Sequence, residues 1–252
     1  MKIFYFTGTG NSLSTARKLA AYFPGCKVVA LVSLSNEDFI TVDDDVVGFV
    51  YPIYGGDLPL FVRKTLMRMN FIGRPYIFAV TTSGGNPTPS EVHLAKLLHE
   101  KGQVLSFQRD VYLPGNMRIP KERDAKAELQ FQDTAVMLAA ERIQERKFVP
   151  YNTEAQLAVS RYSAGYANLV GMTALETCIG CGVCVRLCPM NNIKIVDRRA
   201  FFGENCTVCA ACFHWCPQHA IYMSKSANPS SAHRPQYHHP NVTLEDMLAQ
   251  KN

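Results

Sequence analysis

Thr7-Gly8-Thr9-Gly10-Asn11-Ser12 decides how the first half of the chain reads. The apolar run 3–6 precedes it and an amphipathic segment over 11–22 follows, so these residues form the turn from a first strand into a first helix. Such a turn aims backbone N–H groups and short hydroxyls at one spot beside the positive end of the helix dipole, which makes an anion site. The turn holds no Lys or Arg, so neutral donors alone would carry a phosphate. A Walker loop needs Gly-Lys-Ser/Thr, which is absent, and a dinucleotide fingerprint needs a third glycine where Leu13 stands.

Working outward, further strands are expected at 28–32, 46–51, 76–82 and 104–113. Amphipathic segments at 57–69 and 90–101 lie between them, and a longer helix is expected over 121–147, with Ala125, Leu129, Val136, Ala139 and Ile143 at helical spacing. Asp57 is the expected N-cap of the segment at 57–69, with Pro59 in its first turn. Strands alternating with helices predict an α/β fold, a doubly wound parallel sheet over residues 1–150.

The turn resembles the flavodoxin motif Thr/Ser-x-Thr-Gly-x-Thr/Ser, which holds the 5′-phosphate of FMN. The resemblance implies a flavodoxin-like five-stranded sheet in the order 2-1-3-4-5, FMN as cofactor, and Thr7, Thr9, Gly10, Asn11 and Ser12 as phosphate ligands. In such folds the ligand lies beyond the carboxyl ends of the strands at the switch point. The loops leaving the third and fourth main strands would then hold the flavin ring. The first offers Pro52, Ile53, Tyr54, Gly55 and Gly56, and the second Ser83, Gly84, Gly85 and Asn86. Tyr54 would flank the ring, Gly55 or Gly56 would change peptide orientation, and Ser83, Gly84 and Gly85 would donate amides to the ring carbonyl edge. The acidic, aromatic third loop of many flavodoxins is not evident.

Eight of the nine cysteines fall in two matched runs. Cys178-x-x-Cys181-x-x-Cys184-x-x-x-Cys188-Pro189 is repeated 28 residues later as Cys206-x-x-Cys209-x-x-Cys212-x-x-x-Cys216-Pro217. Three thiolates two residues apart let a tight turn wrap one cubane, and the proline turns the chain away after the fourth. Zinc sites pair two Cys-x-x-Cys knuckles instead, and a metal pattern of this kind belongs to a reducing compartment, here taken as the cytoplasm. Residues 176–223 resemble the bacterial two-cluster ferredoxins at every ligand position. In runs of this type the fourth cysteine ligates the other cluster. Cys178, Cys181, Cys184 and Cys216 are thereby assigned to one 4Fe–4S cluster, and Cys206, Cys209, Cys212 and Cys188 to the second. A small α+β unit is expected here.

Residues 151–175 read as a connector and 224–252 as a polar tail that drapes over the surface, containing His233, His238 and His239. Trp215 and His214, between Cys212 and Cys216, read as shields for a cluster, and Cys26 as a small half-buried residue. The formal charge of +5 would fall to about −1 once two oxidised clusters and a flavin phosphate are bound. That balance, with no basic runs, argues against nucleic acid, and no stretch reaches the ~18 apolar residues of a membrane helix.

The whole chain resembles fused flavodoxin–ferredoxin proteins of anaerobes. That resemblance implies an electron carrier serving redox protein partners. Two rivals stand beside it. One is an FMN-dependent oxidoreductase that reduces a quinone or nicotinamide, with the clusters as relay. The other is a ferredoxin with a flavin-free docking domain. No general base or nucleophile can be named from the sequence.

Overall fold

The computed structural model describes residues 1–85, 90–116, 122–151, 171–223 and 235–251. Its first part carries β1 (Lys2–Tyr5), β2 (Lys27–Ala30), β3 (Ile40–Val42), β4 (Val46–Pro52), β5 (Met69–Phe71), β6 (Tyr76–Ser83) and β7 (Leu105–Tyr112). Between and after them run α1 (Asn11–Ala20), α2 (Leu60–Arg68), α3 (Ser90–His99), α4 (Glu122–Gln130) and α5 (Gln132–Gln144). Strands β2-β1-β4-β6-β7 form one parallel sheet. With β3 and β5 set aside, that is the expected order 2-1-3-4-5, and the fold is flavodoxin-like. Its central strands are apolar on both faces because helices cover both: Val47, Phe49, Val50, Ile77, Phe78, Ala79 and Val80 are all shut off from solvent.

Local structure departs from the sequence expectation in three places. β3 and β5, three residues each, pair with one another in parallel outside the main sheet. The helix expected over 121–147 is broken into α4 and α5 at the exposed Phe131. Asp57 does not cap α2, whose N-cap is Pro59. Its carboxylate instead accepts from Leu58 N–H at 2.6 Å and from both approaches of Arg63 Nη2 at 2.9 Å. A carboxylate this buried needs a charged partner, and a cap would satisfy it less well.

The second part carries β8 (Met172–Ala174), α6 (Val183–Leu187), β9 (Ile193–Val196), β10 (Arg199–Phe202), α7 (Ala211–His214) and β11 (Ile221–Met223). β8 pairs antiparallel with β11 and β9 with β10, a small α+β unit. The sequence duplication is also a backbone duplication. Left-handed φ angles recur at Gly180 and Val208, at Gly182 and Ala210, and at Asn191 and His219, one repeat apart. No helix among the described residues is long and apolar enough to cross a membrane.

The described tail does not drape over the surface. Residues 235–251, including α8 (Leu244–Leu248), cross both parts and bury Val242 and Met247 in the same core as Trp215 and Leu13. A capping box at Thr243 and Asp246 starts α8, and Asp246 pairs with Arg17 of α1 at 2.5 Å. His239 is almost fully enclosed. Its Nε2–H donates to Gln132 Oε1 at 3.1 Å, and its Nδ1 accepts from Asn241 N–H. Gln132 passes the contact on to Thr15 and Ser14 of α1.

Burial lowers the His239 pKa from the ordinary 6.5 to about 4, with Lys18 adding to the shift and Asp133 opposing it. The folded pKa lies below the unfolded one, so the unfolded chain binds the extra proton between them. Stability is therefore full above about pH 6.5 and falls as pH drops toward 4. Thermal melting across that window should show this loss, and His239→Gln should make it shallower, the enclosed His214 keeping its own share between pH 6.5 and 4.

Candidate cofactor sites

A pocket opens beyond the carboxyl ends of β1, β4, β6 and β7. Thr7, Thr9, Asn11 and Ser12 line one end of it. The first-turn N–H groups of α1 have no intrahelical acceptor and no acidic side chain beside them, the condition a phosphate requires. Gly10 shapes the turn without lining the pocket: its N–H donates to Thr7 Oγ1 at 2.9 Å, with φ at 93°. The Asn11 side chain is already engaged, donating to Pro114 O at 2.8 Å and accepting from Tyr237 Oη–H at 2.8 Å. These bonds use one amide hydrogen and one lone pair of the oxygen, and they brace the turn against the third loop and the tail. Ser12 Oγ lies 2.9 Å from Thr82 Oγ1 and ties the turn to β6.

Pro52, Ile53, Tyr54 and Gly55 line the pocket on one side and Ser83 and Gly84 on another, whereas Gly56 and Gly85 stand back from it. Asn86 lies outside the described residues. Tyr54 and Asp57 bond each other's backbones across Gly55 and Gly56, whose φ angles are 62° and 84°. A turn with two positive φ angles in succession calls for glycine at both positions. Tyr51 points into the core, fully buried, so of the two tyrosines in this loop only Tyr54 faces the pocket. Ser83 Oγ–H donates to Asp110 Oδ2 at 2.6 Å, and Thr81 Oγ1–H to Asp110 Oδ1 at 2.9 Å, which fixes the end of β6. Burial pushes the Asp110 carboxyl above its ordinary value.

Sequence reasoning missed the rest of the wall: Thr82, Leu113, Pro114, Gly115, Asn116 and Val208. The Pro114-Gly115 pair at the end of the fifth main strand was the available signal for a third loop. Nothing local in the sequence marks Val208, which arrives from the cysteine unit.

The cysteines open on two cavities. Cys178, Cys181, Cys184 and Cys216 line the first, with Ile179 and Ile195 at its mouth. Cys188, Cys206, Cys209 and Cys212 line the second. All nine cysteines of the chain are free thiols. Among the described residues no three His, Cys, Asp or Glu side chains converge closely enough to share a single ion. A cubane is larger than an ion and keeps its ligands further apart. Backbone amides point at the sulfurs: Val208 N–H at Cys206 Sγ and Asn192 N–H at Cys188 Sγ, both 3.3 Å, and Ala220 N–H at Cys216 Sγ, 3.4 Å. Burial raises the Cys184 thiol to about 11 and pushes Cys206, Cys209 and Cys212 up as well, with neighbouring sulfurs adding to the effect. Such thiols ionise together only with positive charge set among them, which iron would supply. The donor sets fit iron–sulfur clusters, and the pocket fits a flavin phosphate held by neutral donors.

The second cysteine cavity and the flavin-type pocket share a wall. Val208 lines the pocket, while Cys206 and Cys209 on either side of it line the cavity. Gly8 lies directly on this loop: a Cβ at Gly8 would sit 2.2 Å from Cys209 O. Trp215 lines neither cysteine cavity; its Nε1–H donates to Gly8 O at 3.0 Å, so the indole ties the turn down. Asn116 Nδ2 donates to Val208 O at 3.1 Å and Cys209 O at 3.3 Å. His214 is neutral and enclosed, with its pKa lowered to about 4 by burial. It donates from Nε2 to Asn116 O at 2.8 Å and accepts Tyr237 N–H at Nδ1.

Residues 175–194 match the 4Fe-4S binding domain family. No curated protein matches the chain. Three solved structures resemble its first part, each with a TM-score of 0.34. The Trp repressor binding protein of Bacillus subtilis is 12% identical, over 53% of this chain and 96% of that one. Rubredoxin oxygen:oxidoreductase of Desulfovibrio gigas is 19% identical, over 57% of this chain and 36% of that one. The two-electron reduced flavodoxin of Megasphaera elsdenii is 14% identical, over 54% and 98%. At these scores the likeness adds nothing to the topology already described.

Backbone cannot give way as a flexible side chain can, so Gly8→Ala must force the turn and the Cys209 loop apart. The expected loss is about 1–3 kcal/mol, as for other overpacked sites. Chemical unfolding should show a lower midpoint than for the parent, whereas Gly85→Ala, with open space around it and no left-handed φ, should leave the midpoint close to the parent's.

Proposed function

We propose that the chain is an electron-transfer protein that holds FMN in the pocket at the end of the parallel sheet and one 4Fe–4S cluster in each cysteine cavity. The observation that carries this reading is the shared wall, in which Val208 borders the pocket and its neighbours Cys206 and Cys209 border a cluster cavity. When bound, FMN supplies one- and two-electron chemistry and each cluster one-electron chemistry.

The chain's own residues do the rest. Thr7, Thr9, Ser12 and the first-turn amides of α1 would take the phosphate, and Tyr54 with Ser83 and Gly84 would border the ring. Cys178, Cys181, Cys184 and Cys216 would hold the first cluster and Cys188, Cys206, Cys209 and Cys212 the second. Amides aimed at Cys188, Cys206 and Cys216 favour the more negative, reduced state of each cluster. His214 bonds Asn116 O of the third loop, and Tyr237 bonds Asn11, whose amide donates to Pro114 O of the same loop. Cys181 is exposed, and Ile179 beside it is 52% exposed, so the first cavity offers the approach by which redox protein partners would exchange electrons.

Composition tests this reading. Anaerobically purified protein should contain about eight irons, eight acid-labile sulfides and one FMN per chain. Full clusters without flavin, even after incubation with FMN, would overturn the flavin part. About four irons would overturn the second cluster.

A further inference from the structure

We infer that occupation of the second cysteine cavity and binding of flavin are thermodynamically coupled through the loop from Thr207 to Ala210, each raising the affinity for the other. The inference rests on the reading of the two sites given above.

This loop is held in a conformation it would not choose alone. Val208 and Ala210 both stand at φ 57°, in the left-handed region that side chains avoid, and neither is glycine. In the first repeat the same positions are Gly180 and Gly182, where that conformation carries no such penalty. The second repeat is thus the strained copy, and strain of this kind persists only where the surroundings over-determine it. Cys206 and Cys209 flank Val208, and Cys209 and Cys212 flank Ala210, so cluster ligation would pin the loop across both positions. On the other side, Phe61 N–H donates to Thr207 Oγ1 at 3.1 Å and Asn116 donates to the Val208 and Cys209 carbonyls.

The same loop is part of the flavin pocket. Val208 forms wall, Asn116 forms wall and is anchored on the loop, and Gly8 of the phosphate turn rests on Cys209 O with Trp215 bonded to its carbonyl. A loop freed of its cluster would relax at Val208 and Ala210 and draw the third loop and the phosphate turn with it. A flavin holding those elements in place would, in turn, hold the loop in the shape the cluster needs. Coupling between sites is reciprocal by necessity. It is also specific, because the pocket-lining Val208 lies between Cys206 and Cys209 of the second cavity, whereas no residue between Cys178 and Cys184 of the first lines the pocket.

The test is a pair of anaerobic FMN titrations, read by quenching of flavin fluorescence, on the cluster-loaded chain and on the same chain stripped of iron with its thiols kept reduced. The expected result is FMN binding about tenfold weaker in the iron-free chain, within the range of ordinary coupling between sites. Equal dissociation constants would overturn the inference. Absence of FMN binding by the loaded chain would instead sink the flavin reading itself. Wild-type protein gives a second measurement that does not depend on a folded iron-free chain. Saturating FMN should slow iron loss to a ferrous chelator several-fold for half of the iron, and an unchanged rate for all of it would overturn the coupling. Trp215→Phe keeps all eight ligands but removes the bond to Gly8. It should shrink the ratio of the two dissociation constants, and a ratio equal to the wild-type value would contradict the route.

Discussion

The contact of the Gly8 backbone with the Cys209 carbonyl is the constraint on which the rest of the molecule depends. It joins the turn that starts α1 to the loop that carries three cysteines, two stretches 201 residues apart in sequence. A side chain at Gly8 would separate them. Around it the chain has built a polar lattice in which Trp215, Asn116, His214 and Tyr237 each bond across the boundary. The two parts are therefore interlocked, not strung on a flexible linker, and the pocket of one is completed by Val208 of the other.

Much of this was legible from sequence because the decisive signals are local. Cysteine spacing needs only counting; the pairing of Cys188 with the second run and of Cys216 with the first is what the resemblance to two-cluster ferredoxins implies, and each lines the cavity of that run. The main strands announce themselves as apolar runs because both sheet faces are covered. β3 and β5 are too short for any periodicity to show. The break at Phe131 interrupts an otherwise continuous helical pattern, and no proline or glycine marks it.

What stayed hidden depends on partners distant in sequence. Asn11 reads as a ligand for phosphate, and the sequence does not show that its amide also braces Pro114 to Tyr237. Asp57 reads as a cap because it precedes a helix, yet Arg63 claims it. The tail is polar and rich in proline and histidine, the composition of a solvated end. Its function in the fold rests on a few residues, Tyr237, His239, Val242 and Asp246, whose contacts lie in α1 and its turn. Composition cannot report such contacts.

The electrostatics are consistent with this arrangement. The end of the pocket at Thr7, Thr9 and Ser12 carries no formal charge and presents amides and hydroxyls. The cysteines, pushed toward the neutral form by burial, await positive charge of their own. The central claim is that the shared wall is an electron contact within one molecule. The most direct measurement is laser-flash reduction of the fully loaded protein, following flavin and cluster absorbance together. The account expects a first-order exchange whose rate is independent of protein concentration. A rate that rises in proportion to protein concentration would mean that electrons pass between molecules, and would contradict it.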